Sequence, residues 1–153
     1  MSEEAFTVAL GWAKFYGEFY KEVIAEIGLQ RTITVLERAG KSIGAMFVSE
    51  LKKLEPFSLE AMGKMFEQAY RPLGIIDLEV VSTPDLLEFK VGRCPIYEGY
   101  KMAGLDDDTI EKLCRSREGA VNDVIMEAFP EVKASLTWNK PDGDCVSRSI
   151  IEK

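Results

Sequence analysis

Histidine is absent from this 153-residue chain. Imidazole is therefore unavailable as a base, as a partner to a nucleophile or as a metal ligand, and a Ser-His-Asp triad is excluded. Cysteine is scarce: Cys94, Cys114 and Cys145 are the complete set. An odd count leaves at least one thiol outside any intramolecular disulfide. No apolar run approaches the ~20 residues that a membrane-spanning helix needs. Positive charge is in deficit, with a net charge of −7. That balance argues against nucleic acid as a partner, and it gives no reason to expect binding to an anionic membrane. Gly-rich phosphate loops and dinucleotide fingerprints are missing too. The acidic opening Ser2-Glu3-Glu4 lacks the basic-then-apolar pattern of a secretory signal. A cytoplasmic protein with reduced thiols is the expectation.

What remains for chemistry is thiols, carboxylates, Tyr, Lys and Arg. The length fits one domain over 1–153, with a helical half 1–73 and a sheet-and-helix half 74–153. From Phe6 to Ile27, apolar residues recur at three- and four-residue steps, the period of a helix. Trp12, Phe15 and Ile24 widen that stripe, so burial on more than one side is expected. Gly28 is placed to end it. A second helix is predicted from Leu29 to Leu54, with Gly40 and Gly44 one turn apart, marking a close neighbour or a break at Ala39-Gly40. Ser58 caps a third helix that reaches Tyr70.

The period then changes. Ile75–Val81 and Leu86–Val91 read as strands joined by Ser82-Thr83-Pro84-Asp85. Two or three short helices follow, over 96–103, 108–115 and 118–129, with Asp108 and Glu111 spaced as a capping box. Two more strands close the chain, over 132–138 and Cys145–Ile151. The expected fold is α+β: N-terminal helices, then an antiparallel sheet of about four strands with helices over one face, its C-terminal half ordered ββ-αα-ββ.

The three cysteines are too far apart in sequence for a local CxxC clamp, yet each falls near the end of a predicted element, where the fold can bring them together. Their plain alternative is packing as small apolar side chains. As a shared site they would hold metal or substrate. A zinc ion wants four ligands, so Asp144 or Glu98 would supplement the thiolates. Cys94, followed by Pro95 and a helix, is the best-placed reactive thiol, because the positive end of a helix dipole favours the thiolate. The aromatic cluster Trp12, Phe15, Tyr16, Phe19 and Tyr20 fits core, a ligand pocket, or a homodimer contact. Arg71 and Arg148 are carboxylate clamps or solvated surface residues.

The phrases Arg93-Cys94-Pro95-Ile96-Tyr97-Glu98, Gly104-Leu105, Leu113-Cys114 and Gly143-Asp144-Cys145 resemble the L-2-amino-thiazoline-4-carboxylic acid hydrolase family over about residues 86–151. The element order is also similar to vinyl-reductase-like and TRAPP-like domains. The first resemblance implies a hydrolase of a small, carboxylated, cyclic C–N substrate. Cys94, Cys114, Cys145 and Glu98 would be its catalytic residues, and Arg93, Tyr97 and Trp138 would contact the substrate. The second implies a non-catalytic small-molecule-binding or sensory domain. In some members of that group zinc is held by cysteines and a carboxylate, which here would be Cys94, Cys114, Cys145 and Asp144.

Overall fold

The computed structural model describes residues 3–54 and 56–152, the Leu73 side chain excepted; Ser2 of the acidic opening lies outside them. Two long helices come first, α1 (Glu3–Ile27) and α2 (Leu29–Leu51), then α3 (Leu59–Tyr70) and a 3-10 turn, Arg71–Leu73. Strands β1 (Leu78–Ser82) and β2 (Leu86–Val91) precede α4 (Pro95–Met102) and α5 (Asp107–Ala128), and β3 (Val132–Thr137) and β4 (Cys145–Ile151) complete the chain. This is the expected α+β architecture. Among the described residues, no helix is long and apolar enough to cross a membrane.

Local signals explain most boundaries. Gly28 takes φ +83°, a conformation costly for any side chain, between α1 and α2. The Ala61 amide donates to Ser58 Oγ at 3.1 Å, capping α3. Gly74 is also left-handed, and the Ile76 amide turns back to its carbonyl at 3.0 Å. That turn starts β1 at Leu78 rather than at the expected Ile75.

The four strands lie in the order β1-β2-β4-β3, every neighbouring pair antiparallel. One face carries Leu78, Leu87, Phe89 and Val132, buried with Leu51, Leu59, Met62 and Phe66 from α2 and α3 and Ile125 from α5. The other face is wet and charged: Lys90 pairs with Glu79 at 3.2 Å and Arg148 with Glu88 at 2.6 Å. Arg148 is thus a sheet-surface residue, and Arg71 is held by Glu67 at 2.6 Å. A second apolar cluster, Tyr100, Leu105, Ile110, Leu113 and Cys114, stands apart from the first.

Three expectations need correction. Residues 108–115 and 118–129 form one continuous helix, α5, because the polar run Arg115-Ser116-Arg117-Glu118 continues it against α2 instead of breaking it. Its cap is Asp106, which accepts from the Thr109 amide at 2.8 Å; Asp108 pairs instead with Lys112 at 2.5 Å. The third concerns α1, which is not buried on several sides. Trp12, Phe15, Tyr16 and Phe19 are 62%, 59%, 50% and 52% exposed, a continuous apolar stripe with no covering element among the described residues.

Glycines set how closely the helices approach. A β-carbon on Gly40 would sit 2.9 Å from Ala120 Cβ and 3.1 Å from the Arg117 carbonyl, so the pair Gly40 and Gly44 marks a close neighbour, with no break in α2. Between α1 and α4 the fit is tighter: a β-carbon on Gly99 would lie 2.5 Å from Ala13 Cβ and 2.6 Å from the Lys14 amide nitrogen. Overpacking against backbone costs about 1–3 kcal/mol, so Gly99→Ala lowers stability by that amount in urea unfolding. Gly11, with open space around its own β-position, responds oppositely: Gly11→Ala raises stability by about 0.5–1 kcal/mol.

Candidate functional site

The end of β2 is pinned by Asp77. The Gly92 amide donates to its backbone carbonyl at 3.0 Å and the Arg93 amide to its carboxylate at 2.8 Å. This delivers Cys94 to the N-cap of α4 in extended backbone, with Pro95 opening the helix. Cys145 is the cross-strand partner of Val91, so sheet register brings it to the same end of β2. Cys114 belongs to the interior of α5, not to a helix end, and is buried in the second apolar cluster.

The three thiols are close enough to perturb one another. Burial pushes the Cys114 thiol up to about 12, and Cys94 and Cys145 add to the rise. Burial also raises Cys145, with Cys94 contributing, while the Asn139 and Lys140 backbone pulls the other way. All three are free cysteines. Among the described residues, no group of three His, Cys, Asp or Glu side chains is placed to hold a metal ion. The described donor set is therefore not grouped to hold zinc, which wants four ligands.

The other expected site residues are differently employed. The Arg93 guanidinium lies 4.0 Å above the Phe6 ring and pairs with Glu3 at 3.1 Å and Glu98 at 3.5 Å, tying α4 to α1. Arg93 and Glu98 thus engage each other. The Tyr97 hydroxyl donates to Asp107 at 2.8 Å, and burial followed by that bond raises it to about 12. Its ring meets Trp138 edge-on at 5.9 Å, and both rings pack on the cluster holding Cys114. Asp144 pairs with Lys90 at 3.4 Å.

Arg117 escaped the sequence reading. Burial raises Tyr20, Tyr70, Tyr100 and Cys114, and at each of them the Arg117 charge opposes the rise. The Arg117 backbone lies against the Gly40 position of α2 and its side chain is about a third exposed. Its own value is raised: burial lowers it, but Glu118, Cys114, Tyr100 and Cys94 outweigh that. The sequence signal was the three-residue step from Cys114, which shares a helix face only if the helix runs unbroken.

Beside these groups runs a groove of about 960 Å³. Ala5, Val8, Ala9, Trp12, Ala13 and Tyr16 of α1 form one side, and Pro95, Ile96 and Tyr100 of α4 with Pro72 form the other. Arg117 and Glu4 are the charged residues among those lining it. The lining is mostly apolar, as small-molecule sites are.

No protein-family model matches the sequence, and no curated protein matches it. The resemblance to the thiazoline carboxylate hydrolases accordingly has no family match behind it. Among solved structures, the chain is similar to trafficking protein particle complex subunit 3 from Naegleria fowleri, covalently bound to palmitic acid. The match covers 96% of each chain with a TM-score of 0.56 and 13% identity, a likeness of fold alone.

A thiol whose folded value lies above its unfolded one stabilises the fold fully below the unfolded value. That contribution is lost as pH climbs through the folded one. For Cys114 the window runs from 9.0 to about 12. Urea unfolding is expected to show stability declining across it, with a shallower onset in Cys114→Ala; an unchanged slope in that variant contradicts the assignment.

Proposed function

We propose that this chain is a non-catalytic binding module that holds an apolar small molecule in the groove between α1 and α4. The observation that carries this reading is the groove itself: its volume is at the upper end of the ~300–1,000 Å³ usual for ligand sites, and its walls are apolar on both helices. The fold neighbour that carries palmitic acid supports the same reading by analogy.

The alternative is hydrolysis of a thiazoline-like substrate through Cys94, with Glu98 moving protons and Arg93 holding a substrate carboxylate. The helix N-cap position of Cys94 favours it. Against it stand the engagement of Arg93 by Glu3 and Glu98 and the apolar burial that keeps Cys114 protonated. Rapid alkylation of Cys94 that abolishes turnover of a thiazoline carboxylate, with the fold intact, would restore that alternative.

A second reading, compatible with binding, is assembly with another copy of the chain. The exposed stripe of Val8, Trp12, Phe15 and Phe19 favours it, since soluble monomers seldom expose contiguous apolar patches of this kind. Light scattering is expected to report a dimer that Phe15→Glu with Phe19→Glu converts to monomer; a monomeric parent chain contradicts it. Tyr20 is a poor choice for that test, because its ring packs on Tyr100 at 5.7 Å.

Binding is tested with Nile red, a neutral apolar dye. Saturable fluorescence enhancement is expected, weakened about tenfold in Val8→Glu, with the unfolding midpoint unchanged because Val8 is 60% exposed. Enhancement that never saturates, or an unaffected Val8→Glu variant, contradicts the reading.

A further inference from the structure

We infer that the groove selects a monocarboxylate with a long apolar tail, its carboxylate held by Arg117; this rests on the binding reading above. Three observations on the lining carry it.

The first is the distribution of polarity. The α1 wall from Glu4 to Tyr16 is about 18 Å long by helical rise, and between those residues it presents Ala5, Val8, Ala9, Trp12 and Ala13. Such a surface matches an extended hydrocarbon and offers little to a compact polar solute. Arg117 is the cation among the described lining residues, and it comes from α5, not from either long wall. An elongated ligand can therefore place a charged end on Arg117 while its tail follows α1.

The second is the setting of Arg117. It lines the groove beside Ile96 and Tyr100, with its side chain about a third exposed. A guanidinium has five donors in a planar fork that matches a carboxylate in two parallel bonds. The hydrogen bond recorded for this side chain is one contact from a terminal nitrogen to Glu118 Oε1, at 3.4 Å. That contact is long and leaves donors for a second carboxylate.

The third is charge count. Glu118 already offsets part of the Arg117 charge. With Arg117 and Glu118 paired one to one, a monoanion leaves this small group of charges at net −1 and a phosphate dianion at net −2, the costlier state beside apolar walls. Carboxylate is thus favoured over phosphate. Glu4, in the first turn of α1, disfavours an anion at the other end of the groove.

The test is calorimetric titration of the purified chain with dodecanoate and with dodecanol, which differ only at the head group. The parent chain is expected to bind dodecanoate at least about tenfold more tightly than dodecanol. Arg117→Met should remove that preference while leaving dodecanol affinity within about twofold, and Arg117→Lys should retain part of it. Circular dichroism and thermal unfolding verify that each variant is folded. Equal affinity for acid and alcohol in the parent chain overturns the carboxylate assignment and leaves the groove standing. A folded Arg117→Met variant that loses both ligands equally assigns Arg117 to groove shape and also overturns it. Binding of neither ligand removes the groove reading and this inference together. If Arg117→Met does not fold, the parent chain's preference and the Arg117→Lys variant decide the matter.

Discussion

Two pairs of helices in this protein meet where no side chain fits between them, and the rest of the molecule is arranged around those contacts. Gly99 of α4 rests on the backbone of α1 at Ala13 and Lys14, and Gly17 of α1 returns the contact at Tyr100 and Ala103. Gly40 and Gly44 of α2 do the same for α5 at Arg117, Ala120 and Val121. Side chains are thereby excluded from the seams and displaced to their margins. Along the α1–α4 margin lies the apolar groove; at the α2–α5 seam, Arg117 has its backbone against Gly40 and its side chain in the groove lining.

The Arg117 charge acts on several groups of the interior. Three phenols and a thiol are all raised by burial, and one guanidinium moderates every one of them. Its recorded partner is Glu118, at 3.4 Å, and its side chain is about a third exposed. The guanidinium fork keeps donors free for a ligand carboxylate, which would need no further polar side chain on the groove walls. Burial raises the Cys114 and Cys145 thiols, which disfavours the thiolate that a reactive centre needs. Proximity alone therefore does not make them a reactive centre.

Much of the architecture was legible because its signals are local. The run Leu86–Val91 marked β2, Ser58 marked the start of α3, and the paired glycines of α2 offered a close helix contact as one of two readings. The seat of Cys145 at the end of β2 was legible only in outline, since it depends on β4 pairing with β2 so that Cys145 faces Val91. Two features were misread for one physical reason: a sequence does not say what lies against a helix. The polar run 115–118 looked like a break because its glycine-faced neighbour on α2 was unknown. The aromatic residues of α1 looked like core, yet they face a groove and solvent. Arg117 was lost with the first of these errors, and Arg93 drew attention through its place beside Cys94 although its charge is spent on Glu3 and Glu98.

The groove and its cation are the centre of this account, and their most direct test is a crystal structure of the chain grown with dodecanoate. The account predicts a hydrocarbon tail lying along Val8, Ala9 and Trp12 with both carboxylate oxygens on the Arg117 guanidinium. An empty groove, or a ligand seated elsewhere with Arg117 still paired to Glu118 alone, would contradict it.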